Sequence, residues 1–132
     1  MTDERRLDEL WNEAVDLGVD GDVPPGTPVG MERLAHALRV HGSVMGGGVG
    51  FALEANESFR VSLAVDGFRY LGLTEVADLL AEVADGYGRP GYDASRVAAQ
   101  TDRIEELLNE DDPVGDAFRA IAIEKPEDFG LN

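Results

Sequence analysis

Apolar residues recur along this chain at intervals of three and four, the spacing of helices that each bury one face. Leu7, Leu10, Trp11, Ala14 and Val15 form the first stripe, and Gly18 supplies a stop, which predicts helix 1 over roughly 3–17. Residues 18–30, GVDGDVPPGTPVG, are rich in Gly and Pro and have no usable period. They predict a long loop, draped over the surface or mobile. Met31, Leu34, Ala35 and Leu38 predict helix 2 over 31–41, ended by Gly42. In the next segment, SVMGGGVG at 43–50, four of eight residues are Gly, and 51–55 predicts a short helical turn. Helix 3, over 57–71 with Asn56 or Ser58 as cap, is apolar on most sides: Phe59, Val61, Leu63, Ala64, Val65, Phe68, Tyr70 and Leu71. That pattern marks it as the central, surrounded helix. Gly67 inside it costs about 1 kcal/mol relative to Ala, which a close helix crossing would explain.

Helix 4 is expected over 75–86, with Thr74 as N-cap and Val76, Leu79, Leu80, Val83 and Tyr87 inward. A Gly/Pro turn follows at 86–91. Helix 5 is expected over 94–110, capped by Asp93 or Ser95, with Val97, Thr101, Ile104 and Leu108 inward. Helix 6 starts near Pro113, which suits a first-turn position, and Pro126 ends it. Its stripe is Val114, Ala117, Phe118, Ile121 and Ala122, and Phe129 is expected to tuck the tail back. The only strand-like alternation, FRVSL at 59–63, sits inside a longer helical pattern. The fold class is therefore all-α: a compact bundle of about six helices around a central apolar helix, in one domain spanning 1–132. With 132 residues and a hydrophobic fraction of 43%, the chain can bury a real core.

Charge changes this picture. The chain holds 27 Asp and Glu against 11 Lys and Arg, a net charge of −16. Residues 1–22 carry eight acids and two Arg, residues 102–128 ten acids and three bases, and the span between them nine acids and six Arg. The excess thus sits toward two ends, where it opposes folding by self-repulsion. Phosphate backbones and anionic membranes are repelled, which disfavours direct nucleic-acid or membrane binding. Basic partners are favoured: a nucleic-acid-binding protein, a cationic toxin, or metal cations. A second origin for the charge is the host, because ten of the 11 bases are Arg. Such usage also arises from genome composition or adaptation to high salt, where the charge serves only solubility. There is no cysteine, which excludes disulfides and Cys-based metal sites. No apolar run approaches the ~20 residues of a membrane span. Residues 1–6 are charged with no apolar segment behind them, so a secretory signal is not expected and a cytoplasmic location is.

At about 100° per residue, Glu9, Glu13 and Asp16 fall within about 60° of one another on helix 1, opposite its apolar face. Asp102, Glu106 and Glu110 form an i, i+4, i+8 column on helix 5, and Asp111, Asp112 and Asp116 extend it. Successive acids in such a column rise about 6 Å, against ~3.4 Å per phosphate along one strand of B-DNA. The column is sparser than a DNA strand, yet regular enough to imitate part of a phosphate track. The plainer alternative is a pair of solvated helix faces.

Other chemistry is poorly supported. The Gly46–Gly50 run lacks the Gly-Lys-Ser/Thr ending of a P-loop, and Phe51 stands where GxGxxG needs its last Gly. An EF-hand loop begun at Asp20 would place Pro25 and Met31 where Gly and Glu belong. His36 and His41 are five apart and diverge by about 140° on a helix, so they do not share a metal. No catalytic, cofactor or metal residue is assigned, and an enzyme is not expected.

Residues 34–87 carry a resemblance. A helix is followed by a glycine turn around Gly47 and Gly48 with a hydrophobic sequel, then Asn56, then AVDGFRYLGL at 64–73 and VADLL at 76–80. This resembles a family of small helical domains of unknown function that includes an acidic DNA-mimic protein. The family's Asn-Gly-Gly-Phe is replaced here by Gly46-Gly47-Gly48-Val49, and Phe51 stands near its expected Gln. The resemblance implies an all-helical fold, a capacity to form homodimers and a mimic's mode of action, and it identifies no catalytic residue. Residues and resemblance together lead to a non-enzymatic acidic interaction protein that occupies the basic face of a DNA-binding protein. Glu9, Glu13, Asp16, Asp102, Glu106, Glu110, Asp111, Asp112 and Asp116 would form the patch. The alternatives are an immunity or antitoxin-like protein that neutralises a basic toxin, and a small-molecule-binding or enzymatic domain with a Gly-rich pocket at 43–50.

Overall fold

The computed structural model describes residues 4–87 and 89–131. Asp3, the expected start of helix 1, and Gly88, in the turn after helix 4, lie outside the described residues. Among the described residues, six helices follow in order: α1 (Glu4–Asp20), α2 (Val29–Ala55), α3 (Ser58–Tyr70), α4 (Thr74–Gly86), α5 (Ala94–Asn109) and α6 (Pro113–Glu124). A 3-10 turn, Pro126–Phe129, ends the described fold. The all-α expectation holds, and among the described residues there is no strand.

The centre of the bundle is α2 rather than α3. It packs against α1, α3, α5 and the terminal 3-10 turn, whereas α3 packs mainly against α2 and α4. Phe59 of α3 is exposed, its ring under the Arg60 guanidinium at 4.8 Å. Gly42 does not end α2. Glycine costs a helix only about 1 kcal/mol, and Val40, Val44, Val49 and Ala52 are all buried on the continuing helix. The axis breaks at Gly48 instead, whose φ of 89° and ψ of 173° suit glycine alone. The expected helical turn at 51–55 is the far half of this helix.

Gly67 is where α2 and α3 cross. A Cβ there would lie 2.4 Å from the Arg33 carbonyl oxygen and 3.2 Å from the Ala37 Cβ. The close crossing read from the sequence is therefore real, and it brings Phe68 into the core.

α1 runs on to Asp20, so the loop shrinks to residues 21–28, and it is anchored. Arg39 donates to the carbonyls of Gly18 (2.8 Å) and Val19 (3.2 Å), and Arg60 donates to that of Gly21 (2.7 Å). Two guanidinium groups thus meet the carbonyls that a helix end leaves unpaired, where its dipole favours positive charge. Arg39 also donates to Asn56 Oδ1 at 2.9 Å. Asn56 is buried and donates in turn to Ser43 Oγ and the Ala52 carbonyl. It closes α2 and does not cap α3, and Ser58 does not cap α3 either.

Two further local expectations change. Thr74 is the first residue of α4 and not its cap, because Gly72, at φ 83°, turns the chain so that the Leu73 amide donates to the Phe68 carbonyl. Tyr87 points outward and donates to Glu54 Oε1 at 2.9 Å. By contrast, Asp93 caps α5 as expected, accepting from the Ser95 amide at 2.9 Å. Phe129 is buried against Phe118, with ring centroids 5.4 Å apart. Tyr70 ties down the same segment by donating to Asp128 Oδ2 at 2.7 Å. Burial, then that bond, pushes the phenol's pKa well above its ordinary value.

Candidate partner interface

All nine acids of the sequence-derived patch are exposed. On α1, Arg6 lies 3.1 Å from Glu9 and 3.9 Å from Glu13. On α5, Arg103 pairs with Glu106 at 3.0 Å and with Glu75 of α4 at 3.0 Å, so it both tempers the column and clamps α5 to α4. Among the described residues, Asp16, Asp102, Glu110 and Asp111 form no ion pair within 4.0 Å. Between 102 and 116 the sequence sets seven acids against this one arginine.

Two of the nine acids also shape the backbone. Asp111 has φ 40°, a left-handed conformation that Asp tolerates better than most residues, and it turns the chain between α5 and α6. Asp112 is the N-cap of α6, accepting from the Gly115 amide at 3.2 Å. The side chain sits so close over Gly115 that a Cβ there would fall 2.1 Å from Asp112 Oδ2. An Asp directly before a Pro at the first helical position was the signal for this cap. Arg119 stands 3.7 Å from Asp112 and 3.9 Å from Asp116.

α1 and α6 meet through their aromatic rings: Trp11 lies on Phe118, with centroids 5.8 Å apart. α5 packs on α4, α2 and α6. Asp112 is also close enough to His41 of α2 to act on it. Burial lowers the His41 pKa, and the Asp112 carboxylate partly offsets this.

The Gly-rich segment 43–50 lies within α2, and the groove beside it has a volume of about 540 Å³. Among the described residues, its lining includes Gly42, Ser43 and Phe51 and no carboxylate. A second groove, of about 680 Å³, lies over α3 and α4 and takes in Asp66, Asp85 and Arg89. Gln100 is a buried polar residue that the helical pattern did not single out. It donates to Glu82 and accepts from the Tyr92 hydroxyl at 3.2 Å, tying α4 to α5. Among the described residues, no group of three or more His, Asp or Glu is gathered to hold a metal ion, and no helix is long and apolar enough to cross a membrane.

The family model for DMP19-like protein matches residues 28–128. The chain belongs to the DMP19-like family. The match contains the resemblance read over 34–87 and extends it through α5 and α6. The DMP19-like region therefore includes Asp102, Glu106, Glu110, Asp111, Asp112 and Asp116. α1, with Glu9, Glu13 and Asp16, precedes it. No curated protein and no solved structure gives a significant match.

Proposed function

We propose that this DMP19-like protein is a non-enzymatic acidic interaction protein that occupies the basic, DNA-binding face of a partner protein and competes there with DNA. The observation that carries the reading is the run from Asp102 to Asp116, seven acids with Arg103 as its one base, of which six are exposed and Glu105 is half-buried. It lies within the family region, and the family includes an acidic DNA-mimic protein. Asp102, Glu106 and Glu110 stand one turn apart, about 6 Å in rise. The net charge of −16 steers a basic surface toward the protein and makes association fast and salt-sensitive. Metal and catalytic chemistry have no part in this mechanism.

The test is charge reversal at Asp102, Glu106 and Glu110, with Asp112 left intact because it caps α6. The wild-type protein, immobilised in host extract, should capture a DNA-binding protein at low salt and release it at high salt. The purified partner should then lose its DNA-shifting activity when the wild-type protein is added. The triple variant should keep its helical circular dichroism and fail in both assays. Undiminished binding by a folded triple variant would refute the reading.

A further inference from the structure

The groove beside the Gly-rich segment has properties that a charged face alone does not need. Trp11, Val15 and Val19 of α1 line one side, and Leu38, Phe51 and Ala55 of α2 line the other. Its volume of about 540 Å³ is within the roughly 300–1,000 Å³ range of ligand clefts. Three of its large apolar side chains stay open to solvent: Val19 at 73%, Phe51 at 51% and Val15 at 37%. Phe51 is held in place on Gly47, where a Cβ would lie 2.7 Å from the ring. A cluster of exposed apolar groups around one groove marks a surface that gains by being covered.

Three polar side chains of the floor, Arg39, Ser43 and Asn56, already have partners. Arg39 donates to Asn56 and to the Gly18 and Val19 carbonyls, and Asn56 donates to Ser43 and Ala52. The floor therefore offers apolar contact. The margins offer negative charge. On α1, Asp8 precedes Val15 by seven residues, about two turns, which places it on the same helix face. Asp16 precedes Val19 by three residues, which makes the two neighbours on the helix surface at the edge of the groove, and both acids are exposed. At the other margin, Asp112 acts on His41, a residue of the groove lining.

We propose that this groove receives a basic amphipathic helix of the partner, with its apolar side chains between Val15, Val19 and Phe51 and its lysines or arginines turned to Asp8, Asp16 and Asp112. A second copy of the chain is a poorer occupant, because it brings another −16 to the contact. The inference rests on the partner being basic, as proposed above, and adds that charge alone does not complete recognition.

Trp11 is the chain's only tryptophan and lies in the groove, so its fluorescence reports occupancy directly. Three peptides of equal length serve as probes with the full chain. One is a Leu/Lys helix with all Leu on one face, one is the same composition scrambled, and one is the Leu/Glu counterpart of the first. The facially ordered Leu/Lys peptide should shift Trp11 emission and bind roughly tenfold or more tightly than the scrambled one, and the Leu/Glu peptide should not bind. The double variant Val19→Ser, Phe51→Ser changes two exposed side chains, should fold normally and should lose most of that preference. Equal binding of the scrambled peptide, or full binding by the double variant, overturns the groove and leaves the acidic-face reading standing. Failure of every peptide overturns the groove as well, and the α5 charge reversals then judge the acidic face separately. A dimer in sedimentation that the double variant dissolves assigns the groove to a second copy and also overturns the proposal.

Discussion

Gly67→Ala should loosen the α2–α3 crossing, and its cost can be worked from the geometry. The new Cβ would sit 2.4 Å from the Arg33 carbonyl oxygen. An ordinary carbon–oxygen contact is about 3.3–3.6 Å, so the helices must part by roughly 1 Å at this point. The obstructing atom is main chain and has no rotamer to change, which puts the overpacking cost near the upper end of the usual range, about 3 kcal/mol. Better helix propensity returns about 1 kcal/mol. The net loss is about 2 kcal/mol. Gly42→Ala is the matched control, because it lies within α2 and a Cβ there meets nothing within 4 Å. It should gain up to about 1 kcal/mol. Urea unfolding followed by far-UV circular dichroism reads both changes. With a slope of roughly 2 kcal/mol/M, the Gly67→Ala midpoint should fall by about 1 M while that of Gly42→Ala rises. A Gly67→Ala midpoint at or above wild type would refute the crossing argument, and so would equal losses in the two variants.

Gly48→Ala should cost about 1–3 kcal/mol in a thermal or urea melt although the site has room, because its φ of 89° strains any L-residue. Unchanged stability would mean that the α2 break is not fixed at Gly48. Burial lowers the folded-state pKa of both His36 and His41. The unfolded chain therefore takes up protons first as pH falls through about 6.5, and the stability these residues contribute above that pH is lost on the way down to their folded-state values. His41→Gln, which cannot take up the proton, should flatten the stability-versus-pH curve on the acid side of neutrality; an unchanged slope would show that His41 is not desolvated.

The helices were legible because each carries an apolar stripe strong enough to mark one buried face. The acids on α1 and α5 were legible as exposed for the same reason. Their placement relative to one another was not, because it depends on how α1, α5 and α6 each meet α2 and its neighbours. Gly42 misled because a glycine stop is a local signal worth about 1 kcal/mol, outweighed here by the burial of Val44, Val49 and Ala52 further along. Asn56 and Arg39 stand 17 residues apart and bond to each other, and Arg39 also bonds to α1, a network that no local pattern announces. Tyr87 followed the apolar stripe of α4 on paper, but its hydroxyl has a partner outside the core in Glu54.

The manner in which α1 is held has an evolutionary consequence. Arg39 and Arg60 grip main-chain oxygens at Gly18, Val19 and Gly21, and every residue type supplies such an oxygen. The attachment therefore makes little demand on the outward side chains of that helix, apart from the small residues its close approach to α2 requires. Selection can rewrite the exposed positions of α1, including its acids and the Val15–Val19 wall, without dislodging it. The helix is a surface tethered through main-chain oxygens, so its exposed side chains are free to vary independently of its attachment.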